Sequence, residues 1–481
     1  MIKYVLKGHG LGHEVQTIAQ VFYPNLHYYE TDCIETSGIC ALSGFDSSFA
    51  WAEIFKDGVS LIKKIFAHGG ENISEREKKR VIKLALYECF REITGYTPKW
   101  GMITGIRPAK TVNELISSGA DEADAYSFLT EKYFVSAEKA SLTMEVARAE
   151  REILEKNHEY DYSLYIGIPF CPTRCLYCSF TSYPIDKYKN IVDLYIDKLI
   201  EELKFISLKA EGKRLMSIYI GGGTPTSLNE TQLERLLEAI NMNFDAEGAL
   251  EFTVEAGRPD TITSEKLKVM KKHNVGRVSV NPQTMNQKTL DLIGRRHTVE
   301  DIVSVFNMAR NEGFKNINMD LILGLPGESV SDVENTMDRI ARLEPESITV
   351  HTLAVKRASR LKENFNDYSL AGISEIENML KTAGRYAGLI GMKPYYMYRQ
   401  KNMVGNFENI GYCKKGAESF YNVEIMEEKQ TVAAAGAGST TKVYSGADNR
   451  ISRIFNVKSV EEYLSRFDEM IERKNRGMFF E

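Results

Sequence analysis

Three cysteines within eight residues, Cys171, Cys175 and Cys178, restrict this chain more than any other stretch. They are spaced C-x3-C-x2-C and follow directly on a short apolar strand, Ser163 to Ile168, and its stop, Pro169. Three thiolates on one short loop can all reach one small metal core. A cubane iron–sulfur cluster has four irons, so three cysteines leave one iron open to a cofactor or substrate. Structural zinc fits less well, because it takes four ligands, usually from two separated Cys/His pairs. No second C-x2-C exists here, and no histidine occurs within twenty residues after Cys178. A disulfide would use two of the three thiols and strand the third.

The rest of the composition narrows the setting. The chain has 481 residues, enough for two or three domains and a sizeable core. Its net charge is -5 and it has no run of like charge, so no nucleic-acid surface is expected. The first residues, MIKYVLKGHGLGHE, lack the apolar core of a secretory leader, and nowhere do eighteen apolar residues follow one another. The expectation is a cytoplasmic monomer with no membrane span. Seven cysteines, with Cys33, Cys40, Cys89 and Cys413 scattered, argue against a disulfide scaffold and for a reducing compartment. An exposed cluster would also favour low oxygen.

Residues 1–158 read as an N-terminal α/β accessory domain. Ile2 to Leu6 is a candidate strand, and Gly10-Leu11-Gly12 a turn. His9 and His13 lie four apart, but the two glycines between them argue against a helix and so against a paired metal site. From Ser74 a helix is expected, with Val81, Leu84, Ala85, Cys89 and Ile93 on its buried face. The segment from Trp100 to Pro108 reads as an inter-helix connection, with an approach to an anion or another domain as the alternative. Glu131 to Asn157 reads as one long helix.

Residues 159–365 alternate strand and helix. The strands are Ser163–Ile168, Ser217–Ile220, Glu251–Val254, Arg277–Val280, Asn316–Leu321 and Ser347–Val350. Amphipathic helices between them imply a parallel sheet with right-handed crossovers. Ligands bind such sheets at the carboxyl ends of the strands, where the three cysteines lie. The other strand ends carry Gly221-Gly222-Gly223-Thr224, Glu255, Gln283 with Arg295 beyond it, Asp320, and His351 to Ala354 followed by Lys356, Arg357 and Arg360. Glycines let backbone amides press on a ligand, and Glu255 suits sugar hydroxyls. In residues 366–481 a helix runs from Ile373 to Leu389 and a last one from Val460 to Arg473, while the glycines of Ala433–Ser439 suit close backbone packing.

At this point several motifs resemble one family. YIGIPFCPTRCLYC at 165–178 is similar to the signature of the radical S-adenosylmethionine (SAM) superfamily. GGGTPT at 221–226, LIGRRHT at 292–298, DLILGLPGE at 320–328 and QKNMVGNFENIGY at 400–412 resemble its oxygen-independent coproporphyrinogen III oxidase branch. EAGRPD at 255–260 and the long first domain are similar to the HemZ-type subgroup. Two departures stand out. Gly167 occupies a position where the family usually has histidine, and no N-terminal Arg-Tyr-Thr-Ser-Tyr-Pro segment is found. Both bear on the substrate more than on the radical chemistry.

The resemblance implies an α/β fold: a partial (β/α)6 radical SAM barrel, an α/β N-terminal domain and a small C-terminal α/β extension. It implies a [4Fe–4S] cluster on Cys171, Cys175 and Cys178, and SAM on the open iron in contact with Tyr165, Gly222 and Glu255. A second SAM would meet Tyr177, Gly223, Thr224, Gln283, Arg295, Asp320 and Ala354. The implied reaction is oxidative decarboxylation of two propionates of coproporphyrinogen III to vinyl groups by a 5'-deoxyadenosyl radical, with flavodoxin or ferredoxin as electron donor. Four carboxylates on such a substrate call for cations, and Lys356, Arg357, Arg360 and Arg399 are the candidates. The alternatives within the branch are a haem-binding chaperone and a radical enzyme that methylates or opens another tetrapyrrole.

Overall fold

A computed structural model of the protein describes residues 1–24, 26–70, 73–180, 182–356, 359–363, 367–400, 407–447 and 449–478. The chain divides into two units, residues 1–144 with 399–407, and residues 145–398 with 408–481.

In the first unit, apolar alternation builds a sheet that hides one face. Strands β1 (Ile2–Lys7), β2 (Tyr28–Glu30), β3 (Ile39–Phe45), β4 (Phe49–Lys56) and β5 (Val59–Ala67) stand in the order β2-β1-β3-β4-β5. Tyr4, Ala41, Ala52 and Ile54 on that face pack against Val15, Ile18, Val81, Leu86 and Phe90 of the helices Gly12–Phe22 and Glu75–Thr94. Ser74 caps the second helix by accepting from the Glu77 amide. The first helix corrects the expected turn: it begins at Gly12, because burial of Val15, Ile18 and Ala19 outweighs the glycine penalty. His9 stays outside it, its Nε2 3.0 Å from Ser43 Oγ. Residues 95–107 do connect two helices, with Pro108 opening the next one. The expected long helix from Glu131 is also corrected. Phe134 takes φ +56°, and the helix starts only at Ala137, ending at Leu154.

The second unit is organised by one sheet. Strands β6 (Tyr162–Ile168), β9 (Leu215–Gly222), β10 (Glu251–Gly257), β11 (Arg277–Val280), β12 (Asn316–Leu323) and β13 (Ser347–Thr352) pair in parallel in that sequence. They are buried almost along their length, as parallel strands covered by crossover helices must be. Between them run the helices Ile185–Lys209, Glu230–Asn243, Ser264–Lys272, Val299–Asn311 and Val330–Leu343. Asn229, Thr298 and Ser329 start three of these with reciprocal caps. A pair of short strands, β7 (Phe170–Cys171) and β8 (Tyr183–Pro184), ties the two ends of the cysteine loop together. Residues 366–481 extend the same sheet on both edges. β15 (Glu408–Cys413) and then β14 (Lys393–Arg399) follow β13, while β16 (Thr431–Ala435), β17 (Thr440–Ser445) and β18 (Arg450–Phe455) follow β6. This is the expected partial barrel.

The amino ends of the strands are closed by ionic groups. Arg277 donates to the Ala417 carbonyl at 2.7 Å and to Ser347 Oγ at 2.8 Å. Glu251 accepts from Ser419 Oγ at 2.9 Å and from the Tyr421 amide at 3.2 Å. Polar atoms are thereby satisfied at one end, and the reactive side chains collect at the other. The glycines of 433–439 serve close approach, as expected: a Cβ on Gly436 (φ +98°) would lie 2.4 Å from the Gly167 carbonyl oxygen. The last helix is split at Arg466 into Val460–Ser465 and Phe467–Gly477.

Candidate active site

The cysteine loop is fixed before any cofactor is considered. Leu176, at its centre, donates its amide to Ile293 O and accepts from the Leu361 amide, both at 3.0 Å. Cys171 and Cys175 are buried, and Cys178 is half-buried. Cys171 Sγ lies 3.4 Å from Thr224 Oγ1, and burial pushes its thiol up to about 11. Gly223 forms the floor beneath it. A Cβ there would stand 3.0 Å from Cys171 Sγ and 2.5 Å from the Phe170 carbonyl oxygen. The residues after β9 are held down by hydrogen bonds from the Gly223 amide to Ile168 O and from the Thr224 amide to Phe170 O, both 2.7 Å.

Two guanidinium groups approach Cys175. Arg258 Nη1 is 4.0 Å from its Sγ. Arg295 donates to Asn281 O at 2.5 Å and to Tyr177 OH at 3.3 Å, and the charges of Tyr177 and Cys175 raise its affinity for its proton against the effect of burial. Arg295 Nε is buried with no hydrogen-bond partner among the described residues. A buried free donor at the mouth of a site suits an anionic group of a ligand.

Farther into the barrel, Tyr165 on β6, Tyr219 on β9 and Tyr421 stack, with ring centroids 6.4 Å apart for the first pair and 4.3 Å for Tyr219 and Tyr421. Tyr219 OH donates to Glu255 Oε1 at 2.5 Å. Burial first, and then the charge of Asp320, push Glu255 up to about 7 against the hydrogen bonds from Tyr219 and the Gly222 amide. An added cation, such as a ligand ammonium, would draw that carboxyl back to its ionised form. Asp320 remains below the usual carboxylate range; burial opposes this, and His351, Asn318 and Thr349 outweigh it. His351 links outward, its Nε2 3.9 Å from Asp320 Oδ2 and its Nδ1 3.2 Å from Tyr398 OH. Gln283 sits at φ +69°, its amide donating to Asp320 O at 2.9 Å. A non-glycine residue held in that region at a strand end marks a position fixed by its surroundings.

The expected residues therefore fall into linked groups. Cys171, Gly223 and Thr224 touch, and Tyr165 OH is 3.5 Å from where a Cβ on Gly222 would stand. Tyr177, Arg295 and Cys175 form a second group, and Gln283 with Asp320 a third. Ala354 and Lys356 lie on the loop after β13, with Lys356 Nζ 5.9 Å from the Phe180 ring centroid. Arg360 is exposed beside Leu361, which bonds to the cysteine loop. Arg357, and residues 401–406 of the 400–412 motif, lie outside the described residues. Arg399 belongs to the first unit, where its guanidinium donates to the Ile103 carbonyl and stacks 4.8 Å from the Trp100 ring. Sequence reasoning did not assign Arg258, Tyr219 or Tyr421. Arg258 stood in a quoted motif three residues after Glu255; Tyr421 left no local signal.

The arrangement fits a cubane cluster. Its thiols are shielded, a glycine floor leaves room, and fixed cations face an anionic centre. Among the described residues, no group of three His, Cys, Asp or Glu side chains is placed to share one metal ion. A cube holds its ligands farther apart than a single ion does.

One expectation follows from Glu255. A carboxyl whose proton is held more tightly in the folded chain gives stability that is complete below the ordinary value of 4.5 and is lost as pH rises toward about 7. Glu255→Gln, which cannot ionise, should therefore stabilise the unloaded protein at pH 8 by on the order of 2 kcal/mol and leave it close to wild type at pH 4.5. Urea midpoints at the two pH values check this; equal differences at both would contradict it.

Comparison with known proteins agrees with this geometry. Residues 165–340 match the radical SAM superfamily. The chain is 40% identical over 406 residues to the oxygen-independent coproporphyrinogen-III oxidase-like protein HemZ of Bacillus subtilis (strain 168), covering 83% of this chain and 81% of that one. It is 33% identical over 308 residues to the heme chaperone HemW of the same organism, covering 64% of this chain and 76% of HemW. Among solved structures, coproporphyrinogen III oxidase (HemN) from Escherichia coli, described as a radical SAM enzyme, aligns with a TM-score of 0.52 at 22% identity. That alignment covers 68% of this chain and 73% of HemN, and at such identity the likeness is one of fold.

Proposed function

We propose a reaction for this chain from one premise: it belongs to the radical SAM superfamily, among the oxygen-independent coproporphyrinogen III oxidase-like proteins. It is a radical SAM oxidoreductase, and its family works with SAM and a [4Fe–4S] cluster. In our reading its substrate is coproporphyrinogen III. Two propionates each give a hydrogen atom to the 5'-deoxyadenosyl radical, release carbon dioxide and pass one electron to a one-electron acceptor, becoming vinyl groups and giving protoporphyrinogen IX.

The observation that carries this reading is the meeting of the cysteine loop, the Gly222-Gly223 floor, Glu255 and Arg295 at one end of the parallel strands. Cys171, Cys175 and Cys178 would hold the cluster. Together the cluster and SAM supply a carbon-centred radical able to take hydrogen from an unactivated carbon; the protein supplies position and exclusion of water. Glu255 would face the SAM ammonium, with Tyr165 and Gly222 beside it. Arg295 would take a carboxylate with its free Nε. Tyr177, Gly223, Thr224, Gln283, Asp320 and Ala354 would complete contacts to a second SAM. Lys356 and Arg360, on the loop tied to the cysteine loop through Leu361, would meet substrate carboxylates. Arg399 is left out because its guanidinium is engaged within its own unit. A one-electron donor such as flavodoxin or ferredoxin would reduce the cluster, in a cytoplasmic monomer. No helix among the described residues is long and apolar enough to cross a membrane.

The test is label transfer. Coproporphyrinogen III deuterated in its propionate chains should give 5'-deoxyadenosine carrying deuterium; unlabelled 5'-deoxyadenosine would contradict this substrate. Similarity to a heme chaperone favours a second reading, haem binding and delivery. Titration with haem separates the two: a tight one-to-one spectral change with no label transfer would favour the carrier.

A further inference from the structure

We propose that Arg258 sets how easily the cluster is reduced, by presenting fixed positive charge to Cys175. This rests on the reading that Cys171, Cys175 and Cys178 hold a [4Fe–4S] cluster. Arg258 is 3% exposed, and its guanidinium makes contacts on two sides. On one side Nε and Nη2 form a fork with Asp260, at 2.9 and 2.6 Å. On the other side Nη1 donates to Thr173 Oγ1 at 2.6 Å and to Thr173 O at 3.3 Å, and reaches Cys175 Sγ at 4.0 Å. The fork is local in sequence: Arg258 and Asp260 flank Pro259, which opens a single turn over Pro259–Thr261. The guanidinium is thus held by its own neighbours on one side and joined to the cysteine loop through Thr173 on the other.

The charge balance decides what this can do. Three thiolates around a cube make a buried anionic centre, and adding an electron makes it more negative. A nearby fixed cation lowers the cost of that electron, most of all where water is excluded. Asp260 opposes the effect: burial works against its ionisation, but the fork with Arg258 holds it ionised. Its carboxylate, however, lies across the guanidinium from Cys175. The pair acts as a dipole with its positive end at the sulfur, and the nearer charge prevails over short distances. Burial lowers the affinity of His297, beside Asp260, for a proton. Arg295 adds a second cation at the same cysteine and also donates to Tyr177 OH. A guanidinium keeps its charge at any working pH, so the effect is constant. Cys171 meets a hydroxyl, and Cys178 has cations of its own nearby, Arg174 and Lys356.

The experiment uses the full chain, reconstituted with iron and sulfide without oxygen, and titrated with dithionite while the reduced cluster is followed by electron paramagnetic resonance. Arg258→Gln keeps a donor for Thr173 and removes the charge. Arg258→Lys keeps the charge and loses the fork. Arg258→Gln with Asp260→Asn removes both charges and leaves no unpaired buried carboxylate. The expected result is a more negative midpoint for Arg258→Gln and for the double variant, with Arg258→Lys near wild type and iron content equal in all. A wild-type midpoint in the two uncharged variants would overturn the proposal. So would loss of iron from all three, which would make Arg258 only an anchor for Thr173. A wild-type protein that forms no cube at all would instead overturn the reading of the cysteines, and this inference with it.

Discussion

Cys175→Ala is expected to fold with nearly wild-type stability, to hold little iron and to form no 5'-deoxyadenosine above background. The loop that carries Cys175 is pinned by backbone bonds the substitution leaves intact: Leu176 to Ile293 and Leu361, and the Cys178 amide to Cys175 O at 3.2 Å. Removing one sulfur from a loop at the barrel mouth leaves a small void, worth about 1 kcal/mol. Chemically the loss is complete, because two thiols cannot hold a cube against solvent. The scattered cysteines give the contrast. Burial pushes the Cys89 thiol up to about 12 and the Cys413 thiol higher still, so both are inert neutral groups in packed cores. Cys89→Ala and Cys413→Ala should lose about 1–2 kcal/mol in urea and keep full iron content. Iron retained by Cys175→Ala, or lost by Cys413→Ala, would contradict the assignment.

The second large effect is on stability. Lys474 and Glu202 are both 0% exposed and form an ion pair of 2.7 Å. Glu202 also accepts from Tyr463 OH at 2.6 Å, from Asn456 Nδ2 at 2.7 Å and from the Gly436 amide at 2.7 Å. It therefore ties the closing helix Phe467–Gly477 to the turn after β16, whose Gly436 lies against Gly167 of β6. Lys474→Met would leave a buried carboxylate with three neutral donors and no cation, at a cost of about 3–5 kcal/mol. Adding Glu202→Gln should recover part of that loss, since the amide needs no counter-ion. A urea midpoint for Lys474→Met within experimental error of wild type would show that water reaches the pair.

The barrel was legible in the sequence because parallel strands buried on both faces read as continuous apolar runs, and each ended in an unusual motif. All six expected strands formed, five of them extended by one to four residues because the ladder continues past the apolar run. The candidate site residues stood out because they lie near those ends. The first unit was not: its strands β2 to β5 alternate small, aromatic and charged residues, and Gly12 and Phe134 each break a local rule under tertiary packing. Arg258 was overlooked because an arginine before proline reads as a solvated turn. Only its burial against Asp260 and Cys175 distinguishes it. Tyr421 could not be foreseen, since it reaches Tyr219 from 202 positions away through a helix that packs beneath the barrel.

The account's central claim is tested most directly by one anaerobic assay of the reconstituted protein with reductant, SAM and coproporphyrinogen III, read by mass spectrometry. The predicted result is two successive steps, each the loss of carbon dioxide and two hydrogens, with 5'-deoxyadenosine formed alongside. Formation of 5'-deoxyadenosine while coproporphyrinogen III keeps its mass would contradict the proposed substrate.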